Sequence, residues 1–258
     1  MEHILVCVKA VPVSTSVAVD GQLRLKREGT ALKWNIADES ALEAALRLTD
    51  GSGRVTVLTM GPAKLAESLS ELLARGASRA VLITDRRMAG ADTHATARAL
   101  AAAAEKLGPF DAVFCGCKAI DGETGQVPGE LAAALGLPCV SNVESIRERG
   151  ERLVLFRRLE DGVQALEVRG PLAVSFAAYS YPLRLAGILG MRRARKTPVE
   201  ILTAADLGLS PEACGLKGSL TKVTAMQARF PGLRRGPKET DPEAGVRELT
   251  RILREARP

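Results

Sequence analysis

A chain of 258 residues suits one or two domains, and 46% apolar residues supply a real core, which excludes a disordered chain. Aromatic residues make up only 3% of the sequence, too few to build the stacking platforms that hold single-stranded nucleic acid. The formal charge of +6 is unevenly placed: from Arg184 onward there are fifteen Lys and Arg against eight Asp and Glu, whereas residues 1–183 hold 21 basic and 22 acidic groups.

No apolar run approaches the ~18 residues needed to cross a bilayer. The amino terminus, MEHILVCVKA, alternates like a strand and has neither a basic lead nor a small-residue cleavage site, so a cytoplasmic protein without membrane insertion is expected. The five cysteines, Cys7, Cys115, Cys117, Cys139 and Cys214, are odd in number and mostly set in apolar runs, and they read as buried reduced thiols. His3 and His94 have no second thiol or carboxylate at ligand spacing, so no metal site is expected.

In chain order, an apolar strand at Ile4 to Val8 leads into an alternating stretch (Val17, Val19, Leu23, Leu25) around Asp20-Gly21, which reads as a hairpin. A helix follows, capped by Asp38 and facing inward through Leu42, Ala45, Leu46 and Leu48. Val55 to Met60 is a strand ended by Gly61-Pro62, and the next helix buries Leu65, Leu69, Leu72 and Leu73 before Gly76. Ala80 to Ile83 is a third strand, Asp92 to Leu107 an alanine-rich helix, Ala112 to Cys115 a fourth strand, and Gly129 to Leu135 a fourth helix. Continuous apolar strands alternating with helices predict an α/β fold with a doubly wound, mostly parallel sheet covered on both faces.

After Pro138 the rhythm changes. Leu153 to Phe156, Val163 to Val168 and Leu172 to Phe176 are strand-like with no helix between them, and are expected to add a hairpin and an edge to the same sheet. Residues 1–180 form the expected main domain. Beyond about Tyr181, proline, glycine and arginine dominate until an amphipathic helix at Glu243 to Arg254, so residues 181–258 read as an extended C-terminal arm that needs another surface to lie on. Its basic run, MRRARK (Met191 to Lys196), is either a solvated tail or an arm that meets an anionic partner.

In an open parallel sheet a ligand binds beyond the carboxyl ends of the strands, where strand order reverses. Four stretches meet that description: Cys7 to Pro12, Asn35 to Asp38, Met60 to Pro62, and GCKAIDGETGQV (Gly116 to Val127). The last combines glycines that permit close backbone approach with a following helix whose N-terminus points N–H groups outward, and it reads as a phosphate cradle or as an ordinary turn-rich loop. Neither GxGxxG nor GxxxxGK[ST] is present. Nothing forms an acid/base or nucleophile constellation: His94 reads as a surface residue, Asp121 and Glu123 suit a ribose hydroxyl as well as a proton, and Lys9 suits a phosphate or solvent.

Seven segments together carry a family resemblance: ILVCVKAVP (Ile4 to Pro12), NIADESALEAALRL (Asn35 to Leu48), VLTMGP (Val57 to Pro62), GADTHATA (Gly90 to Ala97), CGCKAIDGETGQVPGELA (Cys115 to Ala132), RLAGILGMRRARK (Arg184 to Lys196), and LTAADLGL with GLKGSLTKV. In this order they span almost the whole chain, which resembles the beta subunit of electron transfer flavoprotein. The resemblance implies a Rossmann-like, adenine-nucleotide-binding sheet and a heterodimer in which an alpha subunit carries the redox-active FAD. It also implies a nucleotide in the beta chain itself, AMP in simple members and a second FAD in electron-bifurcating ones. The implied cofactor-binding residues are Cys7, Lys9, Asn35, Asp38, Met60, Thr93, Thr96, Gly116, Cys117, Lys118, Ala119, Ile120, Asp121, Gly122, Glu123, Thr124, Gly125, Gln126 and Val127. Thr93 and Thr96 match the two-flavin members and tilt the expectation towards FAD over AMP.

By the same resemblance, Arg184, Ile188, Arg192, Arg193 and Arg195 would correspond to the segment that recognises flavin dehydrogenases, an aliphatic anchor with arginines that steer acidic surfaces. Electrons would pass on to a quinone oxidoreductase or a low-potential acceptor. Two other classes stand beside this expectation: an adenine-nucleotide-binding regulatory protein of the same fold without a redox role, and a nucleic-acid binder suggested only by the basic pI.

Overall fold

The computed structural model describes residues 1–13, 31–49, 52–224 and 239–255. The hairpin expected around Asp20-Gly21 lies outside the described residues. On either side of that stretch, β2 (Ala10–Pro12) and β3 (Leu32–Trp34) pair antiparallel as a separate two-stranded ribbon.

Among the described residues the main sheet has nine strands. Those expected from the repeating apolar runs are β1 (His3–Cys7), β4 (Arg54–Met60), β5 (Arg79–Ile83) and β6 (Ala112–Gly116). To these are added β7 (Cys139–Arg149), β8 (Arg152–Arg158), β9 (Val163–Val168), β10 (Leu172–Phe176) and β11 (Glu200–Leu202). Their order across the sheet is β11-β5-β4-β1-β6-β10-β7-β8-β9. Strands from β11 to β7 run parallel, and β8 and β9 add an antiparallel hairpin at the far edge.

Helices cover both faces because the strands are apolar on both. On one face Ile4, Val6, Val57 and Phe114 meet α1 (Ile36–Leu48), α2 (Leu65–Arg75) and α5 (Ile188–Ala194). On the other, Leu5, Leu58, Val81 and Val113 meet α3 (Thr93–Leu107) and α4 (Val127–Ala134). Alternate residues of one strand therefore serve opposite layers, as expected for a sheet buried on both sides. Gly76 closes α2 with φ +133°, a conformation that suits glycine.

Several expectations change. β10 is no edge: its five buried residues lie between β6 and β7. β7 was not expected from the sequence, because CVSNVESIRER mixes charge into its alternation. Beyond Tyr181 the chain is more ordered than its composition suggests, forming α5, β11, a 3-10 turn at Pro211–Ala213, and the short α6 (Gly215–Gly218). Of the five thiols, all free, Cys117 is half-buried and Cys139 exposed.

Met1–Thr224 forms one compact unit and Ala225–Pro258 a second. The second contains α7 (Pro242–Glu255), with Val246, Leu249, Ile252 and Leu253 exposed at helical spacing. Among the described residues no helix is long and apolar enough to cross a membrane.

Candidate functional site

The chain crosses from one layer of helices to the other between β1 and β6, so a crevice opens at the carboxyl ends of those strands. The first turn of α1 closes its floor. Asn35 precedes α1 but does not cap it with its side chain. Its amide nitrogen instead donates to the Lys118 carbonyl (3.0 Å), and its oxygen accepts the Ile120 amide (3.3 Å). Asn35 thus ties the start of α1 to the loop after β6.

Asp38 behaves differently from the expected cap. It lies inside the first turn of α1, where its two oxygens accept the Lys9 amide (2.8 Å) and the Gly116 amide (2.9 Å). Burial pushes its carboxyl up to about 7, against the opposing pull of the Lys9 amide, Asn35, the Gly116 amide and the Lys9 charge. The helix can approach β6 this closely because position 116 is glycine: a Cβ there would run into Asp38 and the Ala37 main chain.

From Gly116 the loop leaves the sheet. The Lys9 ammonium reaches across to Asp121 (2.6 Å), whose side chain is buried, while Lys118 and Glu123 form a looser exposed pair (3.8 Å). Glu123 and Gly125 adopt left-handed φ values of 51° and 64°, turning the peptide planes of the loop outward. Among the described residues no protein acceptor takes the amides of Gly122, Thr124, Gly125 or Gln126. A Cβ built at Gly122 would meet no protein atom within 4 Å.

The start of α3 forms the facing wall. Asp92 caps it by accepting the Ala95 amide (2.9 Å) and also accepts the Thr221 amide and hydroxyl (2.8 and 2.9 Å). The Asp92 amide donates to the Ser219 hydroxyl (2.9 Å). The Thr93 hydroxyl lies within bonding distance of Glu130 (3.0 Å) and Gln126 (3.2 Å), joining α3 to the start of α4. Among the described residues, one carboxylate oxygen of Glu130, Oε2, is buried without a partner. Asp92, Glu130, Ser219 and Thr221 were not singled out from the sequence, although GADT and GSLT both stand in its quoted motifs.

Lys9, Asn35, Asp38 and the Gly116 to Val127 loop are therefore brought together, with Thr93 joined to the loop's end. Thr96 lies on the first turns of α3, half-buried, and Met60 ends β4 against the α3 layer. The Cys7 side chain turns away from the crevice into that layer, where it lies against Cys115. A hydrogen bond to Cys7 and burial push the Cys115 thiol well up. Among the described residues no cluster of His, Cys, Asp and Glu could hold a metal ion.

The arginine-rich segment lies elsewhere, on the α1–α2 layer. Arg184 is engaged by the buried Glu43 (2.9 Å), and Arg193 donates to the Leu73 carbonyl (3.2 Å). Gly190 sits where a Cβ would strike the Ala74 main chain. Leu185, Ile188 and Leu189 remain 88%, 69% and 79% exposed, and Arg192 and Arg195 are exposed beside them.

Comparison with known proteins places names beside this geometry. Residues 22–207 match the family model described as the electron transfer flavoprotein domain. The chain is 43% identical over 226 residues to an electron transfer flavoprotein subunit beta of Thermoanaerobacterium thermosaccharolyticum, covering 86% of each. It is 40% identical over 224 residues to the caffeyl-CoA reductase-Etf complex subunit CarD of Acetobacterium woodii, again covering 86% of each. Protein FixA of Azorhizobium caulinodans is 41% identical over 231 residues, covering 86% of this chain and 82% of the relative.

Proposed function

Because this chain belongs to the electron transfer flavoprotein family, as a beta subunit serving electron transfer, we propose that its carboxyl-edge crevice holds an adenine nucleotide, FAD in preference to AMP. The family associates with flavin or nucleotide, and its beta subunits pair with alpha subunits and exchange electrons with redox partners. The observation that carries the finer reading is the row of main-chain amides at Gly122, Thr124, Gly125 and Gln126 without protein acceptors. Such amides beside a helix start are suited to phosphate oxygens, and the open space at Gly122 leaves room for them.

The residues present fit such a group. Lys9 and Lys118 would place positive charge beside the phosphates, although each already faces a carboxylate. At the other end Thr93, Gln126 and Glu130 would meet hydroxyl groups, and the orphaned Glu130 Oε2 is an acceptor that a sugar or polyol hydroxyl would satisfy. Thr96 would extend that wall. A long ligand with hydroxyls as well as phosphates uses both ends, which favours FAD over AMP. Bound flavin supplies the electron-accepting chemistry; this chain's residues bind, orient and neutralise it. Cys7 and Met60 would contribute main chain and apolar wall.

Residues 1–180 would thus hold the nucleotide, while residues 181–258 would meet the alpha subunit and redox partners. Ile188 would be the aliphatic anchor for flavin dehydrogenases, with Arg192 and Arg195 steering the encounter. Arg184 and Arg193 would act in the same segment by holding it to α1 and α2. A quinone oxidoreductase or low-potential acceptor would take the electrons onward.

The test is co-expression with the alpha subunit, followed by acid extraction and a count of nucleotides per heterodimer. Two FAD per heterodimer are expected. A single FAD with no AMP would overturn the nucleotide reading, and one FAD with one AMP would overturn the preference for FAD.

A further inference from the structure

Asp38 stands where a ligand-binding acid would stand, yet both of its oxygens are already used. Oδ2 accepts the Lys9 amide at 2.8 Å and Oδ1 the Gly116 amide at 2.9 Å, and the residue is only 6% exposed. The donors belong to neighbouring parallel strands whose ladder pairs Ile4, Val6 and the residue between with Ala112 to Phe114 and then stops. Beyond Val6 and Phe114, the exits of β1 and β6 are no longer paired to each other. Past the contact of the Cys7 and Cys115 thiols, the carboxyl of Asp38 is the next cross-link, and it lies at the floor of the crevice.

Local geometry makes that bridge demanding. A main-chain amide buried without an acceptor carries the full cost of desolvation, so the Lys9 and Gly116 amides both depend on one side chain. Position 116 has no room for a Cβ beside Asp38, which holds α1 hard against β6. We propose that Asp38 is a positioning residue for the nucleotide: through the Lys9 and Gly116 amides it sets the separation of the β1 and β6 exits, and it touches no ligand atom itself. The proposal rests on the nucleotide reading given above.

The groups facing Asp38 are few. Lys9 from the β1 exit favours its charged form and Asn35 from its own turn does the same, while the Cys115 thiol lies near on β6. Asp121 on the loop holds the Lys9 ammonium. Burial opposes these and brings the carboxyl to titrate near neutrality. A phosphate in the crevice adds negative charge and excludes water, so it holds the proton on Asp38, and affinity falls as rising pH removes it.

The experiment uses the alpha–beta heterodimer with AMP, 2′-deoxy-AMP and FAD as probes. In the unmodified protein, the Lys9 and Gly116 amide proton resonances are expected to move together in one titration near neutral pH. Asp38→Asn keeps the shape but removes one acceptor. It is expected to weaken all three probes by the same factor, about tenfold at pH 6, and to remove the decline in affinity between about pH 6 and 8.5. Lys9 and Gly116 amide resonances that stay unchanged in Asp38→Asn overturn the clamp whether or not a nucleotide binds. Unchanged affinity in the variant overturns it too, and a larger loss for AMP than for 2′-deoxy-AMP would make Asp38 a ligand contact instead. If the unmodified heterodimer binds none of the probes, the nucleotide reading fails, and the Lys9 and Gly116 amide resonances of the variant alone decide the clamp.

Discussion

Arg184 wraps its guanidinium around the buried carboxylate of Glu43, with Nε 2.9 Å from Oε2 and Nη2 3.1 Å from Oε1, and its own amide adds a third bond at 3.1 Å. Arg47, one turn along α1, donates to the same carboxylate at 2.8 Å, and Arg75 of α2 holds the Arg184 carbonyl at 3.0 Å. The arginine therefore anchors the start of the exposed apolar segment to two helices. Glu43→Gln is expected to cost about 2 kcal/mol of stability, since the hydrogen bonds it loses are charge-assisted. Urea unfolding should register that loss, and hydrogen exchange over residues 184–195 should rise severalfold. Unaltered exchange would mean that the segment is held by the contacts of α5 with α2 alone.

Charge on that segment divides into two roles. Arg193 gives a bond to the Leu73 carbonyl, whereas among the described residues no ion pair or hydrogen bond engages the side chain of Arg192 or Arg195. Replacing Arg192 and Arg195 with Ser should leave the melting temperature within a degree or two but slow reduction by a partner flavoprotein at low salt. It should also flatten the ionic-strength dependence of that rate, because free surface charge acts mainly on encounter. Arg193→Ser should instead lower stability by about 1 kcal/mol. Identical salt profiles for the double variant and the unmodified protein would remove the steering role.

Two glycines of one loop should fail in opposite ways. At Gly116 a methyl group meets Asp38 and the Ala37 main chain, so Gly116→Ala should destabilise the fold by about 1–3 kcal/mol through overpacking. At Gly122 no protein atom lies within 4 Å of the added carbon. Gly122→Val should therefore melt normally yet retain little nucleotide, because its branched side chain occupies the space left for phosphate. Full nucleotide content in a stable Gly122→Val protein would move the cradle elsewhere.

Stability should also depend on pH through Asp38. Its folded carboxyl is raised from 3.8 to about 7 by burial. The neutral form is favoured in the folded chain, so this contribution is complete below about 3.8 and is lost as pH rises through about 7. His3 works against it over part of that range: burial and the neighbouring Arg54 lower its pKa, so its contribution grows as pH rises. The stability advantage of the unmodified protein over Asp38→Asn, measured by urea unfolding at matched pH, should consequently be larger at pH 5 than at pH 8. An advantage that stays constant would show that Asp38 does not titrate in that range.

Glu43 acts at the other end of the scale. Burial raises its carboxyl, but the Arg184 and Arg47 bonds outweigh that effect and hold it below the usual value. Its contribution is present above about 4.5 and disappears as pH falls through the lowered folded value. Glu43→Gln should remove part of the acid-side loss of stability below pH 4.5 while leaving the slope between pH 5 and 8 in place.

The alternation of apolar strands and amphipathic helices could be read along the chain because burial repeats every two or 3.6 residues, a property of neighbouring side chains. The same local chemistry marked Gly116 to Val127 as a loop suited to an anion. Pairing partners are a different matter. Leu172 to Phe176 look like any apolar strand, and only their neighbours β6 and β7 make them interior. Asp38 looked like a cap because Asp early in a helix usually is one, yet its acceptors serve amides 29 residues before it and 78 after it. Nothing in the sequence around Arg184 announces that Glu43, 141 residues away, holds it. Which buried carboxylate receives which distant donor depends on how the layers close, since a hydrogen bond acts over about 3 Å, and proximity of that kind exists only once the sheet has assembled.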